Sequence, residues 1–157
     1  GAYTLSKLLS HNNNYGNNVA LGYRVLENNI SSYNIGIGAY ALNLTDSLSA
    51  TGNIGIGYSS LYSNRGGYGN LGLGYATLLN NISGNYNLAV GFESLYTQTL
   101  NTANISIGYT AMRNATGDGN IALGTGTLYS ALNSQSNIAI GYYALANAAS
   151  SQAIRVL

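Results

Sequence analysis

Large apolar and small side chains alternate in a short block that recurs along nearly the whole chain. The block reads N-[VIL]-[AGS]-[LIV]-G-x-x-x-[LM], and it begins at Asn18, Asn34, Asn53, Asn70, Asn87, Asn104, Asn120 and Asn137. Successive copies start 16, 19, 17, 17, 17, 16 and 17 residues apart. After each Asn the pattern has a period of two, as in Ile35-Gly36-Ile37-Gly38, which argues for a strand. The large positions hold Val, Ile or Leu, which suit a pleated surface. The closing Gly permits a sharp bend. The following stretch, as in Tyr75-Ala76-Thr77-Leu78, reads as a second short strand. A polar run rich in Asn, Ser, Gly and Thr then reads as a loop, longest between Asn43 and Gly52.

A unit of this size cannot bury its own apolar side chains, but stacked units can bury them together. The repeat therefore predicts an all-β chain, a parallel β-solenoid of about eight coils spanning 1–157 as one domain. Coils about 4.8 Å apart would make a stack of roughly 38 Å. The interior row is expected to hold both large strand positions and the terminal Leu: Ile54, Ile56 and Leu61 in one coil, Leu88, Val90 and Leu95 in another. Three such side chains are little burial for a coil of ordered residues, so a further surface covered by oligomerisation is expected. The small row, Ala20, Gly36, Gly55, Gly72, Ala89, Ser106, Ala122 and Ala139, has two readings. It is a strip that lets another chain approach closely, and so a trimer interface, or it fits a tight corner of a narrow coil. The leading Asn row is expected to form a ladder of stacked side chains, since Asn bonds readily to backbone and to itself along parallel strands.

These repeats resemble the head repeats of trimeric autotransporter adhesins and the N-x-A-[IV]-G-Y-x-A-L repeats of bacterial and phage tail-fibre-like proteins. The resemblance covers Asn18 to Leu145, with units here longer than the adhesin repeats. It implies a left-handed β-roll, a homotrimer, and a place outside the cell, on a cell surface or in a virion fibre. Gly1-Ala2-Tyr3-Thr4-Leu5 matches the second half of a preceding copy, which reads as a piece of a longer fibre. The tail from Ser150 to Leu157 is expected either to cover the last coil through Ile154, Val156 and Leu157 or to lead into a further domain.

Composition narrows the chemistry. Only 6% of residues are charged and the net charge is +1, so the basic patch that nucleic acid requires is missing. Cys is absent, which removes disulfides and thiolate metal sites. No apolar run is long enough for a membrane helix. The single His, His11, sits in a polar run and reads as solvated. Glu27, Asp46, Glu93 and Asp118 occupy different repeat positions, so stacking gathers no carboxylate pair. The Gly-x-Gly pairs lack a following helix and are no phosphate loop. The expectation is therefore a protein without catalytic residues, metal or cofactor.

Tyrosine is the remaining signal, with 15 copies. Tyr23, Tyr58, Tyr75, Tyr109 and Tyr142 follow the motif Gly, with Phe92 in register. They read as a half-buried packing stripe, or alternatively as a face for sugars. Tyr62, Tyr68, Tyr86, Tyr96 and Tyr129 lie among Asn, Ser and Gly and are the candidate ligand contacts. The functional expectation is an adhesive or structural segment of an extracellular homotrimeric fibre that meets a cell-surface or host receptor, with a glycan among the candidates. A phage tail-fibre segment is the near alternative. A monomeric solenoid that binds carbohydrate or ice is the alternative of another class, although no repeat position carries the regular Thr row that ice binding favours.

Overall fold

The computed structural model describes residues 16–148 and the backbone of 154–156; His11, the Gly1–Leu5 half-copy, and the rest of the tail lie outside the described residues. The chain is a parallel β-solenoid. Its strands are β1 (Val19–Leu21), β2 (Ile35–Ile37), β3 (Ile54–Ile56), β4 (Leu71–Leu73), β5 (Leu88–Val90), β6 (Ile105–Ile107), β7 (Ile121–Leu123), β8 (Ile138–Ile140) and β9 (Ile154–Val156). They form one sheet in chain order, each strand pairing in parallel with the next. The described residues contain no helix. Seven complete turns link β1 to β8, close to the expected number of coils. Register is strict: Ile54 pairs with Leu71, Gly55 with Gly72, Ile56 with Leu73. β9 continues the stack although it lacks the motif, with Arg155 opposite Ala139.

The inside and outside of the strands are reversed from the sequence expectation. The small row points inward. Gly36, Gly55, Gly72, Ala89, Ser106, Ala122 and Ala139 are buried within the single chain, and Ala20 at the first strand is half-buried. These residues are therefore no surface for another chain, and the tight-corner reading holds. The reason is the thinness of the coil. A Cβ on Gly36 would lie 2.4 Å from Val25 Cγ1, and one on Gly55 would lie 3.2 Å from Leu42 Cγ. Two large side chains cannot face each other across that space. The terminal residue fills it instead: Leu26, Leu42, Leu61, Leu78, Leu95, Met112 and Leu128 are almost wholly buried. Ile54, Ile56, Leu88 and Val90, expected inside, stand half-buried on the outer face of the sheet.

The expected second strand is also replaced. After the corner Gly the chain runs through turns, with left-handed backbone at alternate residues: φ is +51° at Ala76 and at Leu78, +52° at Ser59 and +55° at Leu61. A strand would carry the chain straight on, whereas the path must reverse around a core one Leu wide. Left-handed conformation costs roughly 1–2 kcal/mol at a residue with a Cβ. Coil-to-coil hydrogen bonds offset that cost, such as Leu61 N–H to Thr77 O at 2.9 Å and Leu78 N–H to Ser94 O at 3.1 Å. The corner itself demands glycine. Gly74 has φ +134°, and a Cβ there would sit 2.3 Å from the carbonyl oxygen of Gly91 in the next coil.

The leading Asn row forms a continuous ladder. Asn70 shows the unit: its backbone N–H and its Nδ2 both donate to Oδ1 of Asn53, at 3.0 and 3.1 Å. Its Oδ1 accepts in turn from the N–H and Nδ2 of Asn87, at 2.9 and 3.1 Å. The remaining Nδ2 proton crosses the coil to the Gly84 carbonyl at 2.8 Å. The same pair of bonds links Asn53 to Asn34 and runs on through Asn104 and Asn120 to Asn137, while Asn34 donates only its backbone N–H to Asn18 Oδ1. From Asn34 to Asn120 each Asn thus joins neighbouring coils and also pins its own return loop. A second inward polar column stands three residues after the terminal Leu: Asn29, Thr45, Asn64, Asn81 and Gln98, changing to Ala115 and Ala131. Within it Asn81 Nδ2 donates to Asn64 Oδ1 at 2.6 Å.

Candidate binding surface

Two outer features follow from the winding of the coils. The first is the exterior of the sheet. Because each small residue points in, the large residues on either side of it point out, and they stack into two aliphatic columns. Val19 is 51% exposed, Leu21 62% and Leu73 44%, while most of the others are half-buried by their own neighbours in the columns. Strands β1 to β8 contain only Val, Ile, Leu, Ala, Gly and Ser, so nothing charged interrupts this face.

The second is aromatic. The residue after the corner Gly turns outward. Tyr58, Tyr75, Phe92 and Tyr109 stack with centroids 5.0–5.2 Å apart and planes within 12° of parallel. This spacing is the coil repeat, and each stacked pair contributes about 0.5–1.5 kcal/mol beyond its buried area. These four rings stack on one another yet stay 37–56% exposed, and Thr125 interrupts the row before Tyr142, which is 80% exposed and meets Tyr143 instead. Ala39 leaves a gap in the stripe, and Tyr40, one residue later, fills it. Its ring meets Tyr23 and Tyr58 edge to face, at 5.4 and 5.8 Å.

The candidate ligand tyrosines divide into two groups. Tyr62, Tyr96 and Tyr129 share one row, directly after the terminal Leu. Tyr62 packs against Tyr40 at 6.4 Å, and Arg113 lies 4.8 Å over the ring of Tyr96. Tyr129 also faces Arg113. Tyr68 and Tyr86 stand elsewhere on the coil as an edge-to-face pair 5.0 Å apart. The neighbouring Tyr68 holds the Tyr86 phenol above its ordinary value of 10. The five tyrosines are thus not one site.

Between the aromatic stripe and the Tyr62 row in repeat phase stands the second residue after the corner Gly: Ser59, Ala76, Thr110 and Gly126 are buried and Glu93 is half-buried. Beside Ser59 lies an open cavity of about 300 Å³ lined by Tyr40, Tyr58, Ser59, Tyr62 and Leu79. Sequence reading named Tyr62 as a ligand contact and Tyr58 as stripe, and missed Tyr40. The shift from Gly-Tyr to Gly-Ala-Tyr at positions 38–40 was the available signal. A second, more polar hollow of about 410 Å³ lies over Leu44, Ser63, Arg65, Asn80, Ile82, Thr97 and Thr99.

The carboxylates are occupied separately. Glu27 pairs with Arg24 at 3.7 Å, Asp46 with Arg65, and Glu93 with Arg113. Asp118 accepts the N–H of Thr102 at 2.8 Å. Hydrogen bonding to Glu93 raises the Arg113 guanidinium above its ordinary range. Among the described residues no group of three or more His, Asp and Glu is placed to hold a metal ion. No protein-family model matches the chain, and comparison with curated proteins and with solved structures finds no match either.

Proposed function

We propose that the chain is a non-enzymatic segment of an extracellular homotrimeric fibre, whose role is to space and present an attachment surface to a cell or host. The observation that carries this reading is the uncharged aliphatic face of the sheet. Eight strands about 4.8 Å apart make it about 34 Å long, and two columns of side chains give it an area on the order of 400 Å². A patch of that size matches the largest apolar patch of an ordinary monomer, which is often a functional surface. Aliphatic columns with a strict repeat suit an identical partner best, because the same spacing recurs on every copy. Three copies packed around these faces would bury them and leave the aromatic stripes and loops toward the outside. A tail-fibre segment uses the same physics with a different owner.

Light scattering coupled to size exclusion tests it. The wild-type chain is expected to hold the mass of three chains, about 49 kDa from a 16.3 kDa protomer, through dilution to micromolar concentration. Replacing Ile56, Leu73 and Val90 with Lys, which adds no bulk inside the coil, should give single chains with unchanged circular dichroism. A wild-type chain that stays monomeric overturns the fibre reading.

A further inference from the structure

The open cavity beside Ser59 has a chemistry of its own. Three rings converge on it without stacking: Tyr40 stands at 75° to Tyr58 and at 61° to Tyr62. Edge-to-face contact occupies a face of one ring in each pair, and Tyr58 is also stacked on Tyr75, with planes 10° apart. Tyr62 belongs to no stack, its ring meeting only the steep ring of Tyr40. A ring face outside a stack carries the negative lobe of its quadrupole and attracts weakly positive C–H groups. The polar side chains of the lining are the three tyrosines and Ser59, all of which carry hydroxyls. These are short donor–acceptor groups suited to neutral hydroxyl partners. The volume falls at the low end of the range for small-ligand sites.

The charges around the cavity narrow the ligand further. No carboxylate lines it. The Arg24 guanidinium, paired with Glu27, interacts with Tyr40 beside the lining. A cationic ligand would have cation–π attraction but no carboxylate in the lining to pair with. A purely apolar ligand would strip water from four hydroxyls and give nothing back. A pyranose ring satisfies both sets of groups, with C–H groups on its faces and hydroxyls around its rim. In the same row as Ser59, Ala76 of the next coil is small and buried, and the Glu93–Arg113 pair stands two coils beyond Ser59.

We propose that the Tyr40–Tyr58–Tyr62 cavity binds a neutral oligosaccharide, with one sugar ring against the tyrosines and the next units over Ala76 toward Glu93 and Arg113. The proposal takes from the fibre reading only the setting, a glycan-bearing surface. The binding itself needs no particular oligomeric state.

Saturation-transfer NMR on the full chain tests it with neutral tetrasaccharides of the gluco, galacto, manno and N-acetylglucosamine series, and with choline as a cationic probe. At least one tetrasaccharide should receive saturation, strongest on the C–H groups of one terminal ring. Tyr62→Ala and Tyr40→Ala should each weaken its binding at least tenfold, while Tyr62→Phe, which keeps the ring, should lose less. Tyr86→Ala, on another part of the coil, should change nothing. Circular dichroism confirms that each variant is folded, and Tyr62→Phe serves as the informative variant if an alanine variant is not. Silence across the whole sugar panel overturns the proposal, as does binding indifferent to Tyr40 and Tyr62, or binding of choline in place of sugar. Light scattering on the same samples separates the two readings: a trimer that ignores sugars refutes only this one, and a monomer that binds them refutes only the fibre.

Discussion

Removing one rung of the Asn ladder should be the most damaging polar substitution in the molecule. Consider Asn70→Ala. The change deletes four hydrogen bonds: Nδ2 to Asn53 Oδ1, Nδ2 to Gly84 O, and the two that Asn87 donates to Asn70 Oδ1. Three of the groups left behind keep another partner. Asn53 Oδ1 still accepts the backbone N–H of residue 70, Gly84 O still accepts Asn81 Nδ2, and Asn87 Nδ2 still reaches Asn101 O. The backbone N–H of Asn87 loses its acceptor, at a site where Asn87 is 1% exposed. An orphaned buried donor costs about 1–3 kcal/mol, and each bond lost with its partner otherwise satisfied costs about 0.5–1 kcal/mol. The expected loss is about 3 kcal/mol. With a urea slope of about 1–3 kcal/mol/M, the unfolding midpoint should fall by about 1–3 M. Wild type and variant must be compared at one protein concentration, because association would itself stabilise the folded chain. Asn101→Ala is the control: the same residue type in the return loop of a neighbouring coil, where only its backbone carbonyl takes part in the ladder. A loss of under 1 kcal/mol for Asn70→Ala, equal to that of the control, would refute the claim that the side-chain ladder holds the coils together.

Further outcomes follow from the same geometry. Gly74→Ala should abolish stable folding or lower the melting temperature far more than any loop substitution, since the new Cβ would meet the Gly91 carbonyl at 2.3 Å with φ at +134°; thermal denaturation checks it. Leu78→Ala empties the fully buried leucine position of its coil and should cost about 2–5 kcal/mol by urea titration, against under about 1 kcal/mol for Asp46→Asn, whose ion pair with Arg65 is exposed on both sides. Tyr86 is held protonated by Tyr68, so this interaction contributes to stability fully below pH 10 and is lost as pH rises through the higher folded-state value. Alkaline absorbance titration should therefore find one tyrosine fewer ionising late in Tyr68→Phe than in wild type.

Much of this molecule was legible in its sequence because the repeat is strict. Eight copies of Asn, a period-two strand and a Gly four residues on define the strands, their order and their parallel register without reference to anything distant in space. The Asn ladder was legible for the same reason, since identical residues at identical phase must stack. The terminal Leu was rightly placed inside, whereas the aromatic row, read as half-buried, stacks over four coils with its rings exposed. What the period could not decide was which side of the strand is the interior. Alternation of large and small reads the same from both faces, and burial of large residues is the ordinary expectation. Only the winding shows that the coil is too thin for Ile54 or Ile56 to face Leu42, so the glycines turn in and the aliphatic columns turn out. The turn after Gly74 was hidden likewise, because Ala76 and Leu78 carry no local mark of left-handed backbone and adopt it only under the hydrogen bonds of adjacent coils. The convergence of Tyr40 on Tyr58 and Tyr62 joins residues from two coils at three different repeat phases. Sequence specifies the phase of each residue within its coil; the approach of different phases across coils is set by the path of the folded chain.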